Sequence, residues 1–378
     1  MGALTGIRVV SMAWMFPGPY CAMLLADMGA DVIMLERPGA GDPSRLIPHF
    51  FPSVNRNKRS ITVNLASERG KAICYRLAQR SDIVTEGFRP GVARKLDVDY
   101  EVLSRVNPGI IYASISGYGQ YGPYRDWPAH DLTYQGVAGM LASHASRGGD
   151  VGPPPVAIAD LSSAMFATVG ILAALQARHR TGRGQYIDVS MTDGLVSWMS
   201  VALQSHLMGG SGELMEMEPG FGIFGTRDGK AITLSIAFED HFWSGLCHVI
   251  GHGELADMPR EERLARHDEL VEVLKEAFLT RDRDEWVQAL TAANVAAGPV
   301  HTIAEVASDP HLKERGMFAE LDARGGTIKQ VAPSLKFSDT PAEIKRPPPE
   351  LGEHTDEVLI ELGYSSDEIA EMRREGAI

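Results

Sequence analysis

The chain is 378 residues long and carries 36 basic against 49 acidic side chains, a net charge of −13. Its apolar share of 44 % and charged share of 22 % are those of an ordinary folded protein, which excludes disordered, collagen-like and fibrous classes; at about 150 residues per domain the length suits two domains. The negative field repels nucleic acid and anionic membrane surfaces, so neither is an expected partner, and an anionic ligand needs its own local cations.

In chain order, residues 7–12 read as a buried strand, 18–28 as a helix and 31–35 as a second strand. The apolar run that includes them is not a signal peptide, because Pro17-Gly18-Pro19 interrupts it and no basic segment precedes it. A helix over 68–80 leads to a strand at 83–85, and a short helix at 100–106 precedes a strand at 110–114. Further helices are expected over 131–141, 161–178 and 191–208, with a strand at 186–189. The apolar stretch 164–177 is shorter than the roughly 20 residues a membrane crossing requires, so no span is expected. Strands separated by helices imply right-handed βαβ crossovers, hence an α/β domain with a mostly parallel, nucleotide-binding-like sheet.

The texture changes at Gly209-Gly210-Ser211-Gly212 and the Met/Glu-rich loop after it. Strands at 221–226 and 231–235 flanking Asp228-Gly229 form a hairpin that opens a smaller α+β domain, with helices at 239–250, 259–279 and 282–293. Pro347-Pro348-Pro349 marks a rigid crossing linker back to the first domain, where helices at 356–362 and 366–375 close the chain. The expected organisation is 1–210 for the first part of a large domain, 211–325 for a small one, and 326–378 for the linker and return. Cys21, Cys74 and Cys247 share no short spacing, which encodes neither a disulfide framework nor a thiolate zinc site and suits a reducing, cytoplasmic setting.

Gly117-Tyr118-Gly119-Gln120-Tyr121-Gly122 has the literal GxGxxG spacing after an expected strand. A dinucleotide site needs that loop to open a helix, whereas Pro123, Asp126 and Pro128 prolong it, so the motif is set aside. His248 and His252 are spaced for a shared metal, but Gly251 weakens the helix and no third ligand is placed; no metal is expected. Asp160 stands after a proline-rich segment and before the long apolar helix. That position suits an N-cap, and equally a carboxylate with a fixed place and a tunable pKa. His130-Asp131 likewise follows a proline-rich loop; Asp131 reads as an N-terminal helix charge and His130, alone, as a surface histidine.

Motifs along nearly the whole chain carry a resemblance. They include Leu4-Thr5-Gly6-Ile7-Arg8-Val9-Val10, Leu25-Ala26-Asp27-Met28-Gly29-Ala30-Asp31-Val32, Glu36-Arg37-Pro38-Gly39, Asn57-Lys58-Arg59-Ser60, Gly87-Phe88-Arg89-Pro90-Gly91-Val92 and Ser116-Gly117-Tyr118-Gly119. Thr181-Gly182-Arg183-Gly184-Gln185 and Gly352-Glu353-His354-Thr355 complete the set. In these segments the chain resembles the CaiB/BaiF group, the class III CoA-transferases together with the alpha-methylacyl-CoA racemases. The resemblance implies a Rossmann-like large domain, a small domain and an interlocked homodimer holding CoA at the subunit boundary.

It also implies roles. Asp160 matches the catalytic carboxylate of both branches, a nucleophile in transferases and an acid/base in racemases. His130-Asp131 matches the racemase pair, and Glu239 falls where racemases place a glutamate that supports the histidine. The glycine quartet that closes over the site in formyl-CoA transferases is missing before Phe221. Ala129 and Leu161-Ser162-Ser163 depart from the racemase pattern, which has glycine at these places. Arg37, Arg89 and Lys95 match positions contacting the nucleotide end of CoA, Asn64 and Ala66 resemble the adenosine edge, and Asp131 and Tyr134 join the CoA-facing set, Tyr134 one helical turn past His130.

The expected reaction is racemisation alpha to a CoA thioester, with His130 and Asp160 exchanging acid and base roles and an enolate held by amides at the helix start after Asp160. The alternative is CoA transfer between carboxylic acids through an aspartyl mixed anhydride and thioester. No cofactor beyond the CoA moiety of the substrate is expected.

Overall fold

The computed structural model describes residues 1–145, 155–210 and 217–378; parts of the proline-rich and Met/Glu-rich loops singled out above, 153–154 and 211–216, lie outside them. Six strands, β1 (Arg8–Met12), β2 (Asp31–Glu36), β3 (Lys58–Thr62), β4 (Ile83–Glu86), β5 (Ile111–Ser116) and β6 (Tyr186–Ser190), form one sheet in the order 3-2-1-4-5-6, parallel throughout.

Between and after the strands run helices α1 (Pro17–Asp27), α2 (Phe50–Val54), α3 (Glu68–Gln79), α4 (Val92–Lys95), α5 (Tyr100–Val106), α6 (Asp131–Val137), α7 (Met140–Ala145), α8 (Ile158–Thr181), α9 (Met191–Trp198) and α10 (Ser200–Leu207). Local chemistry sets several starts: Ser67, Asp99 and Ser190 accept from backbone amides at the openings of α3, α5 and α9. The expected helix over 131–141 is two helices, broken around Gly139, which adopts a left-handed φ of 78°. The one expected over 191–208 is likewise divided, at Met199.

Alternation along the strands assigns residues to two cores. Val9, Val32, Ile83 and Ala113 face one side, under α1 and α8; Val10, Ile33, Val84 and Tyr112 face the other, against α3 and the closing helices Thr355–Glu361 and Ser366–Arg374. Helix α8 is long and apolar enough, by length and composition, to cross a membrane. Its Ala164, Ala167, Ile171 and Ala174 are buried against this sheet, the place of a core helix.

The chain divides into two compact units, Met1–Ser200 with Glu314–Ile378, and Val201–Lys313. The second holds the antiparallel sheet of β7 (Phe221–Gly225), β8 (Ala231–Ser235) and β9 (Ala297–Pro299). Its core contains Trp243, Phe278 and Trp286. The return to the first unit comes at Glu314, ahead of the expected 326. The hairpin of β10 (Phe318–Ala323) and β11 (Gly326–Val331) packs there: Arg56 donates to the Val331 carbonyl at 2.7 Å and Gln330 to the Pro52 carbonyl at 2.8 Å. The polyproline stretch follows that return, with Asn57 Oδ1 accepting from the Lys345 and Arg346 amides.

Candidate active site

The strand order reverses between β1 and β4, and a doubly wound sheet binds ligands outside the carboxyl ends of its strands at such a switch point. A cavity of about 460 Å³ opens there, lined among others by Trp14, Arg37, Asn64, Ala66, Phe88 and Gly376. Arg37 follows β2 directly, and its guanidinium carbon lies 4.6 Å from the centroid of the Trp14 ring. Phe88 meets that ring edge-on at 6.1 Å, and Trp14 is anchored by donating Nε1–H to the Leu35 carbonyl at 3.2 Å. The result is a slot walled in part by two aromatic rings with a cation beside one of them, features that suit a phosphorylated nucleoside.

Three of the residues singled out for the nucleotide end, Arg37, Asn64 and Ala66, therefore meet in one cavity. Asn64 Oδ1 accepts from the Ala66 amide at 3.1 Å, and its Nδ2 donates to the Gly376 carbonyl at 3.3 Å, so this edge is braced by the end of the chain. Arg89, in the loop after β4, and Lys95, at the end of α4, are exposed and lie outside the cavity's lining. Trp14 and Phe88 escaped the sequence reading as ring contacts; Phe88 lay inside a quoted motif but carried no charge to draw attention.

The second cluster forms where α6 meets the start of α8. His130 is the residue before α6, and its carbonyl accepts from the Thr133 and Tyr134 amides, while its exposed imidazole makes no hydrogen bond among the described residues. Asp160 occupies the first turn of α8. Burial, and after it the negative charge of Asp131, push the Asp160 carboxyl up to about 7.

Asp131 is bound within the protein. Its Oδ1 accepts from the Ala159 amide at 2.7 Å and the Asp160 amide at 3.3 Å, and its Oδ2 from Gln135 Nε2 at 2.5 Å. These contacts correct one expectation: the Ala159 and Asp160 amides that open α8 are already taken, and Leu161 N–H donates to the Ala157 carbonyl at 3.1 Å, so these three do not hold an enolate. Gln135 was missed by sequence reasoning; its only trace was the four-residue spacing from Asp131 on one helix.

Tyr134 is 7 % exposed, donates its hydroxyl to the Ala129 carbonyl at 2.9 Å and packs edge-on against Tyr118 at 5.1 Å, and burial raises its phenol to about 12. It explains the first glycine of the GxGxxG segment: a Cβ on Gly117 would run into the Tyr134 ring. No helix begins after that segment until Asp131.

Glu239 belongs to the second unit, directly before the helix Asp240–Ile250. Amides of Phe238 and Ala237 donate to its carboxylate at 3.0 and 3.1 Å and hold it below the usual carboxylate range. Among the described residues, no cluster of His, Cys, Asp and Glu is arranged to hold a metal.

A family model described as CoA-transferase family III matches residues 4–355. The chain is 34 % identical over 393 residues to alpha-methylacyl-CoA racemase of Homo sapiens, spanning 100 % of this chain and 97 % of that one. It is 33 % identical over 384 residues to succinate–glutarate CoA-transferase of Agrobacterium fabrum, with 95 % of each covered. A crystal structure of a CaiB/BaiF family protein from Brucella suis superposes with a TM-score of 0.85 at 30 % identity, covering 96 % of this chain and 99 % of that one. The chain belongs to CoA-transferase family III. It is an enzyme of the superfamily that contains both CoA-transferases and racemases.

Proposed function

We propose that the protein is an acyl-CoA racemase, inverting the carbon alpha to the thioester by moving a proton between Asp160 and His130. The observation that carries this reading is that Asp131 ties the start of α6, directly after His130, to the start of α8, where burial pushes the Asp160 carboxyl up to about 7; an acid that gains and loses its proton near neutral pH serves as base for one enantiomer and acid for the other. A carboxylate acting as nucleophile would instead benefit from staying ionised. His130, adjacent in sequence to the residue that grips the Asp160 amide, is the opposing group. The enolate oxygen is left to donors other than the opening amides of α8.

CoA is assigned to the slot beside Trp14, with Arg37, Asn64 and Ala66 at its nucleotide end, Arg89 and Lys95 toward its phosphates, and Tyr134 toward the pantetheine arm. The reading calls for no cofactor beyond that CoA moiety, and the three free cysteines suit a reducing, cytoplasmic setting. A homodimer is part of the same reading. Met165, Phe166 and Val169 on α8 and Val196 and Trp198 on α9 are exposed, an apolar surface that a second copy would cover.

CoA transfer between carboxylic acids is the second reading, favoured by relatives such as the Agrobacterium fabrum succinate–glutarate CoA-transferase. Incubation of a chiral 2-methylacyl-CoA in deuterated water, with no acceptor acid, separates the two. The racemase incorporates deuterium at the alpha carbon and loses that exchange in His130→Ala. Absence of exchange in branched and straight acyl-CoAs, with CoA moving between two acids and a hydroxylamine-sensitive acyl-aspartate accumulating, would establish the transferase.

A further inference from the structure

Helix α8 lacks a cap of its own: the residue before it, Ala157, has no acceptor in its side chain. The acceptor comes from 28 residues upstream, where Asp131 Oδ1 takes the Ala159 amide, and the Asp160 amide beside it. The other carboxylate oxygen is held by Gln135, whose side chain is 1 % exposed and rises from the same helix one turn on. Asp131 is thus covalently joined to His130 through its main chain and hydrogen-bonded to the main chain of Asp160 through its side chain.

We propose that Asp131 is a positioning residue for proton transfer: backed by Gln135, its carboxylate locks the start of α8 to the start of α6 and so sets where Asp160 stands relative to His130. The inference rests on the racemase reading for the reaction it serves, while the lock on Asp160 stands on the contacts themselves. An unsupported helix start would leave its amides free to favour an ionised Asp160. Asp131 satisfies those amides and places its own charge against the same carboxyl, which favours the protonated form.

Other elements packed against α8 leave this to Asp131. Helix α6 also brings Tyr134, itself influenced by Arg89. The titratable groups of α1 are Tyr20, Cys21 and Asp27, the last paired with Arg56; β5 carries Tyr112, whose hydroxyl donates to the Val98 carbonyl. β6 carries Tyr186 and Asp188, the latter accepting from the Gln120 amide, and α9 carries Asp193, held by Ser190. None of these acts on Asp160 as Asp131 does.

Two variants test the lock. Asp131→Asn keeps an oxygen for the α8 amides and removes the charge; Asp131→Ala removes both. The Asp160 carboxyl is followed by infrared pH titration, as the difference between each protein and its Asp160→Asn counterpart, and alpha-proton exchange is followed across pH. In Asp131→Asn the titration midpoint and the acid limb of kcat/KM both move to lower pH by about half a unit to one unit. In Asp131→Ala exchange falls roughly a further tenfold, as the reacting geometry loosens. A wild-type midpoint in Asp131→Asn, or wild-type exchange in Asp131→Ala, would overturn the proposal. If the midpoint moves but the unmodified enzyme exchanges no alpha proton from any acyl-CoA, the lock on Asp160 stands and the racemase reading falls.

Discussion

Asp131 and Asp160 are bound to each other through opposite parts of the residue: the side chain of the first accepts a hydrogen bond from the main chain of the second at 3.3 Å. Two carboxyls are thereby kept close while, among the described residues, only one of them is supplied with amide donors. The first has Gln135 and two amides around its carboxylate, while burial, and after it the negative charge of the first, push the carboxyl of the second up to about 7.

This arrangement has a cost in stability that depends on pH. The Asp160 carboxyl rises from an ordinary 3.8 to about 7 in the folded protein, so its contribution is fully present below about pH 4 and is lost as pH rises through about 7, where a buried group must ionise. Asp160→Asn is expected to unfold at a higher temperature than the parent at pH 8, by an amount equivalent to roughly 2 kcal/mol, and to show no gain at pH 4. Calorimetry at the two pH values checks it.

Arg37→Ala removes the cation that lies over Trp14 in the lining of the slot. CoA binding should weaken by about 1–3 kcal/mol, with the loss appearing in KM more than in kcat. Arg89→Ala, exposed and outside the lining, should weaken CoA less than Arg37→Ala does. Titration calorimetry with CoA distinguishes them, and unchanged affinity in both would make each an ordinary surface charge.

Gly117→Ala places a methyl group against the buried Tyr134 ring, which cannot yield without leaving Tyr118 and the Ala129 carbonyl. A loss of about 1–3 kcal/mol is expected from overpacking, read as a lowered denaturant midpoint. Gly122→Ala, with no atom near the added carbon but a φ of 96°, should be penalised through its backbone alone.

Val169→Asp puts a charge in the exposed apolar face of α8. Sedimentation should show the parent near twice 41.0 kDa and the variant shifted toward the monomer. A parent that sediments as an active monomer would dispose of the dimer.

The alternating strands and helices of the large unit could be read from apolar periodicity, because its central strands are buried on both faces. Strand β3 was harder: Lys-Arg-Ser-Ile-Thr opens with two charges, and only the fold shows Lys58 donating to the Pro19 and Val54 carbonyls and Arg59 pairing with Asp31 and Glu361. β10 and β11 pair with each other, but the contacts that seat their hairpin, from Arg56 and to the Pro52 carbonyl, lie far away in sequence, and β9 is Ala-Gly-Pro. At the site, the family resemblance rather than local spacing pointed to His130 and Asp160. The grip of Asp131 on α8 was hidden, since a contact spanning 28 residues leaves no local spacing to read.

The slot beside Trp14 is walled in part by Gly376, and the Asn64 amide donates to the Ala377 carbonyl at 2.8 Å. During synthesis the six strands of the sheet leave the ribosome well before that wall exists, with the whole Val201–Lys313 unit translated in between. At about 5–20 residues per second, the nascent protein spends on the order of ten seconds with all six strands synthesised and the slot incomplete. A chain cut short between Asp160 and Gly376 therefore carries the Asp160 carboxyl and lacks the Gly376 wall of the slot.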